Sequence, residues 1–459
     1  MRSSKAEIVR RVHAIPEVTF DRDRKLTSFA GLVLFQALFA TLGLRARLRA
    51  CFAHLGRRRD FGYARVMLQL VLHVLMGFRR LRDRDSYAGD PLVCRVLGVS
   101  RLPDVATISR TLAAADAKAV DRVRQLIGAL ALDRAVAEEL PRVTLDFDGS
   151  VLDTRRHAEG TAVGYNPRRK GTRGYYPLFC MVSQLGMFFD MHHRPGNVHD
   201  SNGAVDFVSQ CIEQVRRRLP RAVLEARLDS AFFHQDLLAV LEEHRVQYAV
   251  SLPFASYVSL RHLVESRQRW LRIDDRWSYF ETAWRPKRWL RNRRVILIRQ
   301  RRAVQRKGPL QLDLFEVVER EFEYKAIVTN KRTSAANVLA FLNGRGCQEA
   351  ILGEAKEHAS LGYIPCRRRV ANQLYSLAAM LAHNLGHELQ LCASPTRRGQ
   401  APSRAPQFEL MTLGTLRDRL IRRAGRLTQP QGRLQLCVAA IGDARRQFQR
   451  HLDHLLHAA

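Results

Sequence analysis

Eight cysteines without a single CxxC pair, no apolar run of membrane length, and only 44 acidic residues against 76 basic ones mark what this chain lacks. Each shortage excludes something. Cys51, Cys94, Cys180, Cys211, Cys347, Cys366, Cys392 and Cys437 stand singly, which argues against a cysteine zinc site and against a disulfide framework. Isolated cysteines in apolar surroundings suit a reducing cytoplasm. The most apolar stretch, "FAGLVLFQALFATLGL", is 16 residues long with a Gln inside; it is too short to span a bilayer and reads as a buried helix. The N-terminal "MRSSKAEIVRRVHAIPEV" has basic residues but no following apolar region, so no signal peptide is expected. The shortage of acids leaves a formal charge of +32 spread along all 459 residues. A charge of that size calls for a polyanionic partner, and nucleic acid is the commonest.

What is present divides by period. Up to residue 137 the apolar positions of "YARVMLQLVLHVLMGFRRL" and "DVATISRTLAAADAKAVDRVRQLIGAL" recur at helical spacing. Asp104 is a plausible N-cap there, with Thr107, Ser109 and Arg110 at the helix start. That arrangement suits either the recognition helix of a helix-turn-helix or an ordinary capped helix. From 138 to 252 the pattern reads as three strands, helix, strand, helix, strand, which matches a ribonuclease-H-like α/β fold with helices on both faces of a mixed sheet. All four tryptophans (Trp270, Trp277, Trp284, Trp289) fall between 253 and 332, a segment that reads as a strand-rich insertion subdomain. Helical pattern returns from 333 to 392. The Pro, Ser and Arg-rich "ASPTRRGQAPSRAPQ" then precedes a last unit, 408–459, expected to bind DNA or dimerise.

Carboxylates on strands supply the chemistry. "VTLDFDGSV" alternates strictly, with Thr144, Asp146 and Asp148 on one face, and "LEARLDSAFF" puts Glu225, Arg227 and Asp229 on one face. Asp229 ends its strand, where open α/β sheets build their sites. Adjacent acids repel unless neutralised, and either Arg227 or a divalent cation could do so. On "GRGCQEAILGEAKEHA", Arg345, Glu349 and Lys356 share a helix side, an arrangement that by itself suits a salt-bridged solvent face.

The ordered segments "LDFDGSVLDTRRHAEGTAVGYNPRRKGTRGYYPL", "RPGNVHDSNGAVDF", "ARLDSAFF" and "GRGCQEAILGEAK" together resemble the DDE transposases of bacterial insertion sequences, in particular the cut-and-paste group with a Tyr-Arg-Glu-Lys signature. The resemblance runs from about residue 28 to about 440. It implies that Asp148, Asp229 and Glu349 are the catalytic, metal-binding triad, with Asp146 an open alternative to Asp148. It also implies that Arg345 and Lys356 hold phosphates. Leu342 stands where the signature has its tyrosine, so a hydroxyl contact to DNA is missing.

The implied activity is cleavage and strand transfer of terminal-inverted-repeat DNA, and then insertion into target DNA, by a homodimer in the cytoplasm. Two Mg2+ ions, with Mn2+ able to substitute, would activate the nucleophile and stabilise the leaving oxygen. Arg168, Arg169, Lys170 and Arg173 would track the DNA backbone, and Trp284 or Trp289 could stack on a flipped base or form the core of their subdomain. Without acidic or cysteine partners at ligand spacing, His192, His193 and His199 read as structural or DNA-facing. A transposase-derived DNA-binding regulator without catalysis is the alternative function; a nuclease without strand transfer fits less well.

Overall fold

The computed structural model describes residues 25–56, 61–166, 169–199, 202–301, 322–393, 408–439 and 442–457. Its first strand, β1 (Leu26–Thr27), leads into helices at Leu32–Thr41, Leu44–Cys51, Tyr63–Leu75, Pro91–Leu97, Val105–Ala113 and Ala117–Ala137. Short polar residues start several of these. Asp90 accepts from the amides of Leu92 and Val93 ahead of Pro91, Asp104 accepts from Thr107, and Asp116 accepts from Ala119, each satisfying amides that the first helical turn leaves without partners. Residues 98–104 join Pro91–Leu97 to Val105–Ala113, a longer connection than the tight turn of a helix-turn-helix.

The centre of the molecule is a nine-stranded mixed sheet. After β2 (Arg142–Gly149) come three short strands, β3 (Leu152–Thr154), β4 (Ala162–Val163) and β5 (Arg173–Tyr175), which form a small sheet of their own. The main sheet resumes with β6 (Leu178–Val182), β7 (Met187–His192), β8 (Val223–Leu228) and β9 (Gln247–Leu252), and continues through β10 (Leu271–Arg272), β11 (Trp277–Trp284), β12 (Arg293–Arg301) and β13 (Phe322–Thr329). The spatial order is β10-β11-β12-β13-β9-β8-β2-β6-β7. β2 runs parallel to β8, and β8 to β9, while β6 is antiparallel to β2. This mixed α/β arrangement is consistent with a ribonuclease-H-like core.

The expected insertion subdomain is strand-rich, but it does not form a sheet of its own. β13 pairs antiparallel with β9, so β10 to β13 extend the edge of the central sheet. The reason is apolar continuity: Phe280, Trp284, Val295 and Leu297 join the same buried cluster as Phe147, Leu224 and Tyr248.

The remaining helices form the second core. The helix Arg369–Ala393 is buried on nearly all sides, as expected of a helix at the centre of a packed layer. It packs with Tyr63–Leu75, Ala117–Ala137, Gly346–His358 and the C-terminal helix Ala444–His457 in one hydrophobic cluster. β14 (Gly425–Thr428) pairs with both β15 (Gln435–Val438) and β1. The segment expected as a separate C-terminal unit is therefore stitched to the N-terminal helices, and neither stands apart from the long helix.

Polar groups inside this core are matched to backbone. The Asn384 side chain donates to Phe188 O at 2.7 Å and accepts from Phe188 N at 2.8 Å, clamping the long helix to β7. Gln390 does the same with Met411, at 3.0 and 2.7 Å. Two-way amide pairing of this kind removes the cost of burying either partner.

Candidate active site

β2 and β8 lie side by side in parallel, and their registered residues make a ladder on one face. In the first rung Thr144 Oγ1 donates to Glu225 at 3.0 Å, and Glu225 also accepts from Arg142 at 2.6 Å and from Lys331. In the second, Arg227 donates Nε and Nη2 to the two oxygens of Asp146 at 2.6 and 2.7 Å. Arg227 also reaches Phe341 O at 3.1 Å and Ser183 Oγ, so this pair is fully enclosed and its charges are shared. Continuing the alternation, the third rung sets Asp148 of β2 beside Asp229, the residue immediately after β8. It is the one rung of like charge, and like charges across strands repel.

A cation already stands there. Arg345 Nη2 lies 3.4 Å from Asp148 Oδ1 and 3.4 Å from Asp229 Oδ2. The two carboxylates therefore converge to within twice that distance of each other. Asp229 is oriented by its own backbone, accepting from the Ala231 amide at 2.9 Å to cap the turn Ser230–Phe232. Both acids are partly open to solvent, with side-chain exposures of 17% and 29%, whereas Asp146 has none. That contrast separates the two aspartates of β2: Arg227 occupies Asp146, and Asp148 faces the opening.

The helix Gly346–His358 carries Glu349, the third acid that the resemblance implies. Glu349 sits in its first turn, exposed, and among the described residues it forms no ion pair. It lines a cleft of about 570 Å³ together with Ser230, Leu342 and Arg345, at the ends of β8 and β9. The basic neighbours of Glu349 thus serve other groups. Arg345 pairs with the aspartates, and Lys356 Nζ donates to Val151 O at 3.1 Å, just past the end of β2.

Among the described residues Asp148, Asp229 and Glu349 do not gather into one ligand-sized cluster, and neither aspartate lines the cleft that Glu349 lines. The other expected site residues lie on other elements. Arg168 lies outside the described residues. Arg169 is held by Asp153 at 3.4 Å, Arg173 donates to Thr161 O at 2.9 Å, and Lys170 is exposed, all on or beside the small β3-β5-β4 sheet. This sheet needs glycine at a tight crossing, since a Cβ on Gly164 would lie 1.7 Å from Gly196 O. Arg110 is exposed, with its Nε directed to Ala106 O at 3.3 Å. The neighbouring Ser109 lines a cleft of about 1280 Å³ with Arg156, His157, Arg367 and Arg368.

The tryptophans, expected either to stack on a base or to form a core, sit in packed surroundings. Trp284 cannot present its ring to a base, because it is packed in the sheet core with its indole N–H directed to Ser259 Oγ at 3.3 Å. Trp289 is half-buried, stacked on Phe233 with centroids 4.6 Å apart and capped by Arg293. Both behave as packing residues of the sheet edge. His193 is structural as well: it is buried against Tyr175, and burial pushes it down to about 3. The sequence reading missed a buried group formed by Glu354, His383 and His387. Its signal was the spacing of "HNLGH", two histidines one helical turn apart.

No curated protein matches the chain. Among solved structures it is similar to the piggyBac transposase synaptic complex with hairpin DNA, at 12% identity over 85% of this chain and 80% of that one, with a TM-score of 0.41. It is also similar to the Mos1 transposase paired-end complex with the left transposon end, at 13% identity over 46% of this chain and 66% of that one, with a TM-score of 0.18. Scores that low carry no argument. The family profile does: the description "Transposase DDE domain group 1" matches residues 14–459, nearly the whole length, and the chain belongs to that family of transposases.

Proposed function

We propose that this chain is an active transposase that binds the terminal inverted repeats of its own element and moves it by cut and paste, with Asp148, Asp229 and Glu349 as its catalytic acids. The observation that carries the reading is the third rung. The polar pairs Thr144–Glu225 and Asp146–Arg227 between β2 and β8 are complementary and internally satisfied, and just beyond the paired residues Asp148 and Asp229 stand acid against acid, held together by a cation. A sheet that needed those positions only for stability would gain from a neutral or oppositely charged residue at either one.

The donor set fits hard divalent cations: carboxylate oxygens alone, partly solvated, converging on a point that already attracts positive charge. Asp148 and Asp229 would hold the magnesium, Glu349 would join them from the helix that begins beside Arg345, and Mn2+ would substitute. When bound, the ions supply Lewis acidity to the attacking and leaving oxygens of an in-line displacement at phosphorus.

The protein's own residues do the rest. Arg345 keeps the two aspartates together and is the nearest guanidinium to a phosphate entering the cleft. Lys356 fixes the helix of Glu349 to the chain leaving β2. Lys170 and Arg173 on and beside the small β3-β5-β4 sheet, with Arg156, Arg367 and Arg368 in the cleft that Ser109 lines, would offer a basic track for the DNA backbone. The net charge of +32 agrees with a large polyanionic partner. Pairing two transposon ends would take two copies of the chain. Among the described residues, no helix is long and apolar enough to cross a membrane.

The test is incubation of the full chain with duplex DNA carrying the inverted repeats that flank its gene. Magnesium-dependent nicking at the repeat ends, absent from Asp148→Ala, supports the proposal. Tight repeat binding with no nicking under Mg2+ or Mn2+ favours a DNA-binding regulator instead.

A further inference from the structure

Away from the acidic cleft, three side chains meet inside the helical core. His383 and His387 lie one turn apart on the long helix, and Glu354 reaches them from the helix Gly346–His358. One ring nitrogen of each histidine is tied to backbone: His383 Nε2 is 3.0 Å from Gly186 O, and His387 Nδ1 is 3.3 Å from Leu185 O. Those bonds fix the tautomers, with the protons on the carbonyl side, and leave His383 Nδ1 and His387 Nε2 with lone pairs. Neither of these two nitrogens has a hydrogen-bond partner, although both are buried. Both lie 3.7 Å from the same oxygen, Oε1 of Glu354.

A separation of 3.7 Å is too long for a hydrogen bond and allows only a loose ion pair were a ring protonated. It does suit ligands sharing a metal. Donors about 2.1 Å from a tetrahedral ion stand about 3.4 Å apart, and a modest widening of the angle reaches the observed value. The three donor atoms lie within 4.8 Å of one another. The side chains are 0%, 6% and 13% exposed for His383, His387 and Glu354. The surroundings are built around these rings. Gly186 adopts φ +63, and a Cβ there would lie 2.9 Å from His387; the Leu413 amide donates to Glu354 at 2.7 Å. Histidine ligands whose second nitrogen bonds a carbonyl, with a hydrogen-bonded carboxylate beside them, are how proteins orient a metal's inner ligands.

We propose that Glu354, His383 and His387 bind a zinc-class ion, separate from the acidic cleft, that locks the helix carrying Glu349 and Arg345 onto the long helix and the β6-β7 turn. Two imidazoles and one carboxylate select a borderline transition metal over magnesium.

Metal analysis of the purified full chain tests this. One zinc per chain is expected in the unaltered protein and in an Asp148→Ala, Asp229→Ala double variant, with an about tenfold or greater loss in His387→Gln and His383→Ala. Because the histidine variants could fail to fold, the unaltered chain is also stripped with a chelator and reloaded. Zn2+ should raise its melting temperature where Mg2+ does not, and Co2+ should give visible d–d absorption that Zn2+ displaces. A stripped chain that takes up no zinc, gives no cobalt band and melts at the same temperature with and without zinc would overturn the proposal. So would zinc retained by folded His387→Gln. Neither result depends on transposition activity.

Discussion

Glu349 and Glu354 lie on one helix, five residues apart, and meet opposite environments. Glu349 is exposed on an open cleft beside Ser230 and Arg345, whereas Glu354 points into the core at two imidazoles. The first setting suits a hard, exchangeable cation that substrate phosphates can help to ligate. The second suits a retained transition metal with no path for a polymer such as DNA. One short helix thus carries an exposed carboxylate on a cleft and another facing the core, and charge type, donor atom and burial distinguish their settings.

The largest effect is expected at the open end. Asp148→Ala should lower repeat-end cleavage by about a thousandfold, equivalent to about 4 kcal/mol, while leaving DNA binding and the urea midpoint nearly unchanged, and Asp229→Ala and Glu349→Ala should behave alike. Asp146→Ala, two residues earlier on the same face, should act through stability. Leaving Arg227 buried without its partner should cost about 3–5 kcal/mol in urea unfolding. Equal loss of stability in Asp146→Ala and Asp148→Ala would break the comparison.

Trp284→Ala should destabilise by about 3 kcal/mol through its vacated core volume. Trp289→Ala, stacked but half-buried, should cost about 1 kcal/mol, and DNA binding by the folded fraction should survive both. Arg345→Ala should slow cleavage and, by removing a competing cation worth about 1 kcal/mol, reduce the magnesium needed for half-maximal rate roughly fivefold. The smallest change is expected on the basic track: Arg173→Ala or Lys170→Ala should each reduce the slope of log affinity against log salt by about 0.9.

Much of this was legible in the sequence where the information is local. Strict alternation in "VTLDFDGSV" sets Asp146 and Asp148 on one face, and Asp229 falls just beyond its strand as expected. Alternation cannot choose between Asp146 and Asp148, since the choice rests on Arg227, 81 residues away and brought into register only by the parallel pairing of β2 with β8. Arg227 does neutralise an acid, but only the inner one. For the tryptophans, aromatic residues in a basic segment look alike whether they face solvent or the core, and the continuation of the sheet through β13 decided for the core. The Glu354, His383 and His387 group was hidden because one member is on another helix and the carbonyls that bond the two rings come from the β6-β7 turn, 197 and 202 residues earlier. The union of the chain's two ends through β1 and β14 left no pattern in either segment.

The central claim is that the acid–acid rung at the end of β2 and β8 is a metal-dependent cleavage site. The most direct test compares the unaltered chain with Asp148→Ala on labelled terminal-repeat duplex, with Mg2+ or with chelator. The account predicts nicking at the repeat ends by the unaltered chain with Mg2+ only, and none by Asp148→Ala despite equal binding. Nicking that persists in Asp148→Ala, or in chelator, would contradict it.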